Sequence, residues 1–145
     1  MILRLISAAS LFCAGTAAMA FDQKAINDKC DAKWGTDFRM VKYCREHQQE
    51  AGRKVDDLRA RVVGNGTAEI VLRDCEKKWG TDYRMVAYCY EKQADALSEL
   101  SNSRSDIPKN VHDLISNNCS EKWGNNFRMV AYCIEKQTQA WKEIQ

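Results

Sequence analysis

At 145 residues the chain has the length of one domain or of a short array of small units, and its 22 basic and 20 acidic residues leave a net charge of +2. No run of five or more like charges interrupts that balance. The basic footprint of a nucleic-acid-binding or anionic-membrane-binding protein is therefore missing, and neither partner is expected.

The first element in chain order is a segment to be removed. Met1-Ile2-Leu3-Arg4 leads into an apolar stretch from Leu5 to Ala18 that closes on Ala18-Met19-Ala20, the small-x-small pattern of a secretory signal peptide. Cleavage is expected after Ala20, with a periplasmic or secreted destination. The stretch is shorter than the ~20 apolar residues needed to span a bilayer, and polar Asp22-Gln23-Lys24 follows at once, so no membrane span is expected. Lipidation at Cys13 is the rival reading, but Phe12 stands where a lipidation motif takes a small residue. Loss of residues 1–20 removes Arg4 as the sole charged group and Cys13 as the odd cysteine. An even set of six cysteines in an exported chain favours disulfides over free thiols.

Beyond residue 20 one string occurs three times. Ile26, Cys30 and Trp34, then Val71, Cys75 and Trp79, then Ile115, Cys119 and Trp123 recur at i, i+4, i+8, which stacks each set on one face of a helix. A glycine follows each set (Gly35, Gly80, Gly124), supplying the left-handed residue that ends a helix. Thr36-Asp37, Thr81-Asp82 and Asn125-Asn126 then supply an N-cap for the next helix. That second helix keeps an apolar stripe: Met40, Cys44, Gln48, Ala51, Val55, Leu58 and Val62 in the first unit, continuing through Cys89, Gln93, Ala96 and Leu100 in the second and Cys133, Gln137, Ala140 and Ile144 in the third. Breaks at 64–67 and 101–108 separate the units. The predicted architecture is all-α: six helices in three tandem hairpins at 21–63, 64–104 and 105–145, forming a solenoid or a bundle.

Cys30, Cys75 and Cys119 lie about a turn and a half before the glycine, and Cys44, Cys89 and Cys133 about two turns after it, at similar heights on antiparallel helices. Six cysteines allow 15 pairings, and three identical C-x13-C units make Cys30–Cys44, Cys75–Cys89 and Cys119–Cys133 the economical set. Each bridge would close a loop of about fifteen residues, worth roughly 3 kcal/mol in the chain-entropy model.

Several repeated residues invite a chemical reading. Trp34, Trp79 and Trp123, one turn beyond a cysteine, are expected in the structural core over the disulfide. Met40, Met85 and Met129 are expected beside them as gap fillers, their alternative being thioether ligation of copper(I) in a periplasmic carrier. Arg39, Arg84 and Arg128 are odd, because a cation near a helix N-terminus opposes the local dipole. Either an ion pair with the capping Asp or stacking on Trp offsets that cost, or the three arginines are candidate partner-binding groups for an anion or carboxylate. Tyr43, Tyr88 and Tyr132 with Gln48, Gln93 and Gln137 are expected to hydrogen-bond between helices or to the next unit's loop.

Catalysis is not expected. His47 and His112 occupy different places in their units and have no nucleophile at a useful spacing, and His47 with Glu46 and Glu50 reads as a solvated helix face. Neither Cys-x-x-Cys nor Cys-x-x-Cys-His occurs, so no redox dithiol, haem or other cofactor is expected, and no zinc site of paired cysteines.

The string Cys-x3-Trp-x2-Asp-x2-Met-x3-Cys-x3-Gln, present at 30–48 and 75–93 and with Asn126 for the Asp at 119–137, resembles a short module of bacterial exported helical proteins to which no activity is attached. The resemblance implies the compartment and the hairpin alone. The chain differs from the twin Cys-x9-Cys hairpins of the mitochondrial intermembrane space, which carry two bridges where each unit here has one. The function expected from sequence is that of a non-enzymatic binding or scaffolding protein. Its partner would be another envelope protein or a cell-wall component.

Overall fold

A computed structural model describes residues 21–102 and 106–145. The signal segment expected over residues 1–20, Cys13 included, and the linker residues 103–105 at the second unit boundary lie outside the described residues.

Among the described residues there are six helices: α1 (Gln23–Trp34), α2 (Phe38–Val62), α3 (Gly66–Trp79), α4 (Tyr83–Asn102), α5 (Lys109–Trp123) and α6 (Phe127–Glu143). They form three hairpins, α1–α2, α3–α4 and α5–α6, each closed by its own disulfide: Cys30–Cys44, Cys75–Cys89 and Cys119–Cys133, all with Cα atoms 5.7 Å apart. That separation lies within the range a relaxed bridge requires.

The turn inside each hairpin follows from its glycine. Gly35, Gly80 and Gly124 have φ of 53°, 55° and 54° with ψ of −115°, −120° and −125°. The positive φ expected from sequence is present. The ψ, however, places these residues in the first central position of a type II′ turn rather than in the left-handed helical region. The turn closes where the Asp37, Asp82 and Asn126 amides donate to the Trp34, Trp79 and Trp123 carbonyls at 3.0 Å. The same three side chains then cap the next helix, accepting from the Met40, Met85 and Met129 amides. One residue thus ends the turn and begins the helix, which is why the hairpin needs so few residues.

The second helices carry the stack. α2 packs on α4 and α4 on α6, while α2 and α6 do not touch, so each hairpin contacts only its sequence neighbour among the described residues. The array is therefore linear rather than a closed six-helix bundle. Its main core spans the first two hairpins, from Ile26, Cys30, Ala51 and Val55 to Val71, Leu72, Cys75, Tyr83 and Val86. A smaller cluster of Ile107, Ile115, Cys119 and Val130 serves the third. Phe21 closes the first core from the N-terminal side, its ring edge-on to Tyr83 at 6.0 Å between centroids. The Asp22 amide donates to the Tyr83 hydroxyl at 2.7 Å and ties the start of α1 to α4.

Burial along each first helix declines toward the turn. Ile26, Cys30, Val71, Cys75, Ile115 and Cys119 are enclosed, but Trp34, Trp79 and Trp123 are half-buried, as are Met40, Met85 and Met129. These six side chains, expected in the structural core, instead form its rim.

Candidate functional site

The junction between hairpins is built around one glutamine. From α2, the Gln48 Nε2 donates to Asp82 Oδ1 at 2.8 Å and its Oε1 accepts from the Arg84 amide at 3.3 Å. One carboxamide therefore satisfies both the capping side chain and an orphan N–H in the first turn of α4. From α4, Gln93 repeats the arrangement, its Nε2 donating to Asn126 Oδ1 at 3.0 Å and its Oε1 accepting from the Arg128 amide at 3.1 Å. The expectation that these glutamines reach the next unit's loop is met. The tyrosines do not join them: Tyr43, Tyr88 and Tyr132 are about half exposed.

The two junctions differ in charge. At the first, Lys29 Nζ lies 2.7 Å from Asp82 Oδ2. Burial pushes the Asp82 carboxyl upward, but hydrogen bonds from Gln48 and Lys29, the Lys29 charge and the Met85 amide outweigh it and hold the group below its ordinary value. At the second junction Asn126 stands in the place of Asp82 and Asp74 in the place of Lys29, so among the described residues no ion pair matches Lys29–Asp82 there and the Gln93–Asn126 pair itself is uncharged.

Each latch floors a groove. The first, about 470 Å³, is lined by Lys33, Trp34, Met40, Tyr43, Gln48, Asp82, Arg84, Met85 and Tyr88, with Lys29 and Cys44. The second, about 400 Å³, is lined by the residues at the equivalent positions one repeat later, Lys78, Trp79, Met85, Tyr88, Gln93, Asn126, Arg128, Met129 and Tyr132, with Cys89. Met85 and Tyr88 line both, so the two form a continuous row across the array. A larger concavity between α4 and α6, about 540 Å³, sets Lys92 and Arg128 against Asp95, Glu99 and Glu135.

The arginines stand free. Arg39, Arg84 and Arg128 are exposed, and among the described residues no ion pair involves them. Neither structural offset considered for them is present. Asp82 pairs with Lys29, and the cation over each indole is the lysine one residue earlier: Lys33, Lys78 and Lys122 lie 5.2, 5.2 and 5.4 Å from the Trp34, Trp79 and Trp123 ring centroids. Sequence reading overlooked these lysines, although a lysine immediately before each tryptophan is visible in all three repeats. The structure brings Arg84 and Arg128 into grooves. Arg39 lines neither, because no hairpin precedes the first within the described chain.

The six cysteines among the described residues are all in disulfides, which leaves none of them as a thiolate for a metal site. His47 stacks on Tyr43 with ring centroids 4.1 Å apart, on α2, and His112 lies on α5 beside Asp113; the fold does not bring them together. Among the described residues no helix is long and apolar enough to cross a membrane.

No family model, curated protein or solved structure matches this chain.

Proposed function

We propose that the protein is a non-enzymatic binding scaffold of an exported compartment, whose row of grooves grips an extended, acidic partner: an envelope protein or a cell-wall component. The observation that carries this reading is the duplication of one groove at successive junctions, matched at every lining position except that of Lys29, whose counterpart Asp74 does not line the second. Each groove combines an indole edge, a phenol, a thioether and an unpaired guanidinium, the side chains most enriched where proteins hold partners. Lysine ammonium groups over the indoles add positive charge, and the one acidic lining group, Asp82, is already neutralised by Lys29. Equipment repeated at a fixed spacing suits a partner that is itself extended, since two weak contacts on one chain reinforce each other. Three disulfides fit an oxidising compartment.

The test is photocrosslinking in living cells from position 88, which lines both grooves, against position 73, which is exposed and lines neither. The expected result is a discrete adduct from position 88 alone, lost when Arg84 and Arg128 are both changed to Ala. Protease or muramidase digestion of the adduct distinguishes a protein from a wall polymer. Equal labelling from both positions, no adduct, or an adduct indifferent to the arginines would overturn the reading.

A soft-metal carrier is the second reading, and one observation favours it: Met40 and Met85 share the first groove, Met85 and Met129 the second. Copper(I) titration against a competing chelator decides it. Stoichiometric uptake abolished by Met85→Leu would support it, and failure to compete would end it.

A further inference from the structure

We propose that copies of this chain associate head to tail, the last hairpin of one docking on the first hairpin of the next in the geometry already used twice inside the molecule.

The two ends of the array carry the two unused halves of the internal junction. On the donor side, Gln48, Ala51 and Val55 of α2 recur as Gln93, Ala96 and Leu100 of α4 and as Gln137, Ala140 and Ile144 of α6, always at i, i+3, i+7. The first set is buried and the second half-buried or buried, whereas all three residues of the third are exposed, Ile144 to 79%. Among the described residues the Gln137 side chain has no hydrogen-bond partner, while the Gln48 and Gln93 side chains each have two.

The acceptor side shows the reverse order. Tyr83, at the start of α4, is 5% exposed and Phe127, at the start of α6, is half-buried, but Phe38, at the start of α2, is 77% exposed. Asp37 beside it caps α2 through the Met40 amide, as Asp82 and Asn126 cap α4 and α6, and among the described residues no glutamine bonds to it. The Arg39 amide likewise lacks the carboxamide oxygen that Arg84 and Arg128 receive.

Terminal units of a repeat array ordinarily replace such positions with polar residues, because an uncovered repeat face costs solubility. Here the outer faces keep the interior pattern: phenylalanine and a capping aspartate in front, glutamine, alanine and isoleucine behind. What covers each face is stated by the molecule itself, since the only surfaces shown to fit them are each other's equivalents at the two internal junctions. The Gln137 carboxamide of one copy would donate to Asp37 and accept from the Arg39 amide of the next, and Phe38 would be covered as Phe127 is at the second junction. Because the two faces differ, the contact is heterologous and does not close on itself, so it generates open chains of copies. Each new junction would also add a groove, bringing Arg39, which lines neither groove of the single array, into the continuing row.

The test is sedimentation velocity on the oxidised protein over a concentration series up to its solubility limit, with Phe38→Asp and Gln137→Glu variants. Among the described residues neither side chain has a hydrogen-bond or ion-pair partner, and thermal melts check that both variants fold; Ile144→Asp is a second tail variant should Gln137→Glu melt early. The wild type is expected to show a mass that keeps rising with concentration. Each variant alone is expected to stay monomeric, and a one-to-one mixture of the two to form a species of twice the monomer mass and stop there, because one intact front meets one intact tail. A monomer at every concentration, a closed dimer, or variants that associate as the wild type does would overturn the proposal. The last hairpin's outer face would then belong to a different partner or to none.

Discussion

Gln48 and Asp82 stand 34 residues apart and meet at 2.8 Å, where an uncharged carboxamide holds a carboxylate that is simultaneously capping a helix. The pair is the hinge pin of the first two hairpins, and Gln48 is the one buried polar residue among those described, at 6% exposure.

Replacing Gln48 with Ala leaves the Asp82 carboxylate and the Arg84 amide short of a partner in a half-buried site. A loss of about 1.5–3 kcal/mol is expected, against about 0.5–1.5 kcal/mol for Gln93→Ala, where the latch is neutral and wetter. Urea denaturation of the two variants side by side checks the order. Equal losses would show that burial does not set the strength of the junction.

The first junction should also be the acid-sensitive one. Asp82 has a folded pKa below its ordinary value of 3.8, so its ionised form is favoured by folding. That contribution is present above the unfolded pKa and is lost as pH falls through the folded one, that is, from about pH 4 downward. Asp106 and Asp113 are also lowered, by Lys142 and Lys109 respectively, but they are fully exposed surface pairs and contribute little. Asp82→Asn should therefore flatten the fall in melting temperature between pH 5 and pH 2.5, since Asn126 already shows that an asparagine serves at the equivalent place. An unchanged acid slope would place the acid-sensitive group elsewhere.

Three glycines should respond to alanine in three different ways. Gly80 has φ of 55° in open space, so Gly80→Ala meets no neighbour yet forces an unfavourable backbone, at about 1–3 kcal/mol. At Gly52 a Cβ would come within 2.7 Å of Phe21 Cγ, so Gly52→Ala must displace the ring that closes the first core and is expected to cost about 1–3 kcal/mol. Gly66 opens α3 in free space without a positive φ, and Gly66→Ala should stabilise by about 0.4–1 kcal/mol. Thermal or chemical melts of the three separate backbone strain from crowding and from chain entropy.

Arg84→Ala should change stability by less than about 0.5 kcal/mol, because the guanidinium is exposed and unpaired and the backbone amide that serves Gln48 is retained. A loss above about 1.5 kcal/mol would mean that the side chain serves the fold rather than a partner.

The candidate site was only half legible in the sequence. That Gln48 and Gln93 face the next unit could be expected from their repetition on the apolar stripe, since a polar residue held there needs a buried partner. That each also caps the following helix depends on the height at which α4 meets α2, a distance no local pattern records. The pairing of Lys29 with Asp82 crosses 53 residues and exists only at the first junction. The tryptophans misled for the same reason: a stripe at i, i+4, i+8 identifies a helix face, but whether its last position is covered depends on how closely the second helix approaches beyond the disulfide.

What the sequence alone determined was everything set within a single hairpin. The helix faces, the glycine turn, the capping residues and the Cys30–Cys44, Cys75–Cys89 and Cys119–Cys133 pairs all follow from spacing along fewer than thirty residues, where helical geometry fixes height and direction. What only the tertiary structure decided was the relation between hairpins: a linear stack of α2, α4 and α6, grooves that gather Arg84 and Arg128 but not Arg39, and end faces that keep the pattern of the interior. Those outcomes depend on the angle at which one hairpin packs on the next. That angle is settled by the side chains at the junction acting together, across separations that periodicity along the chain cannot encode.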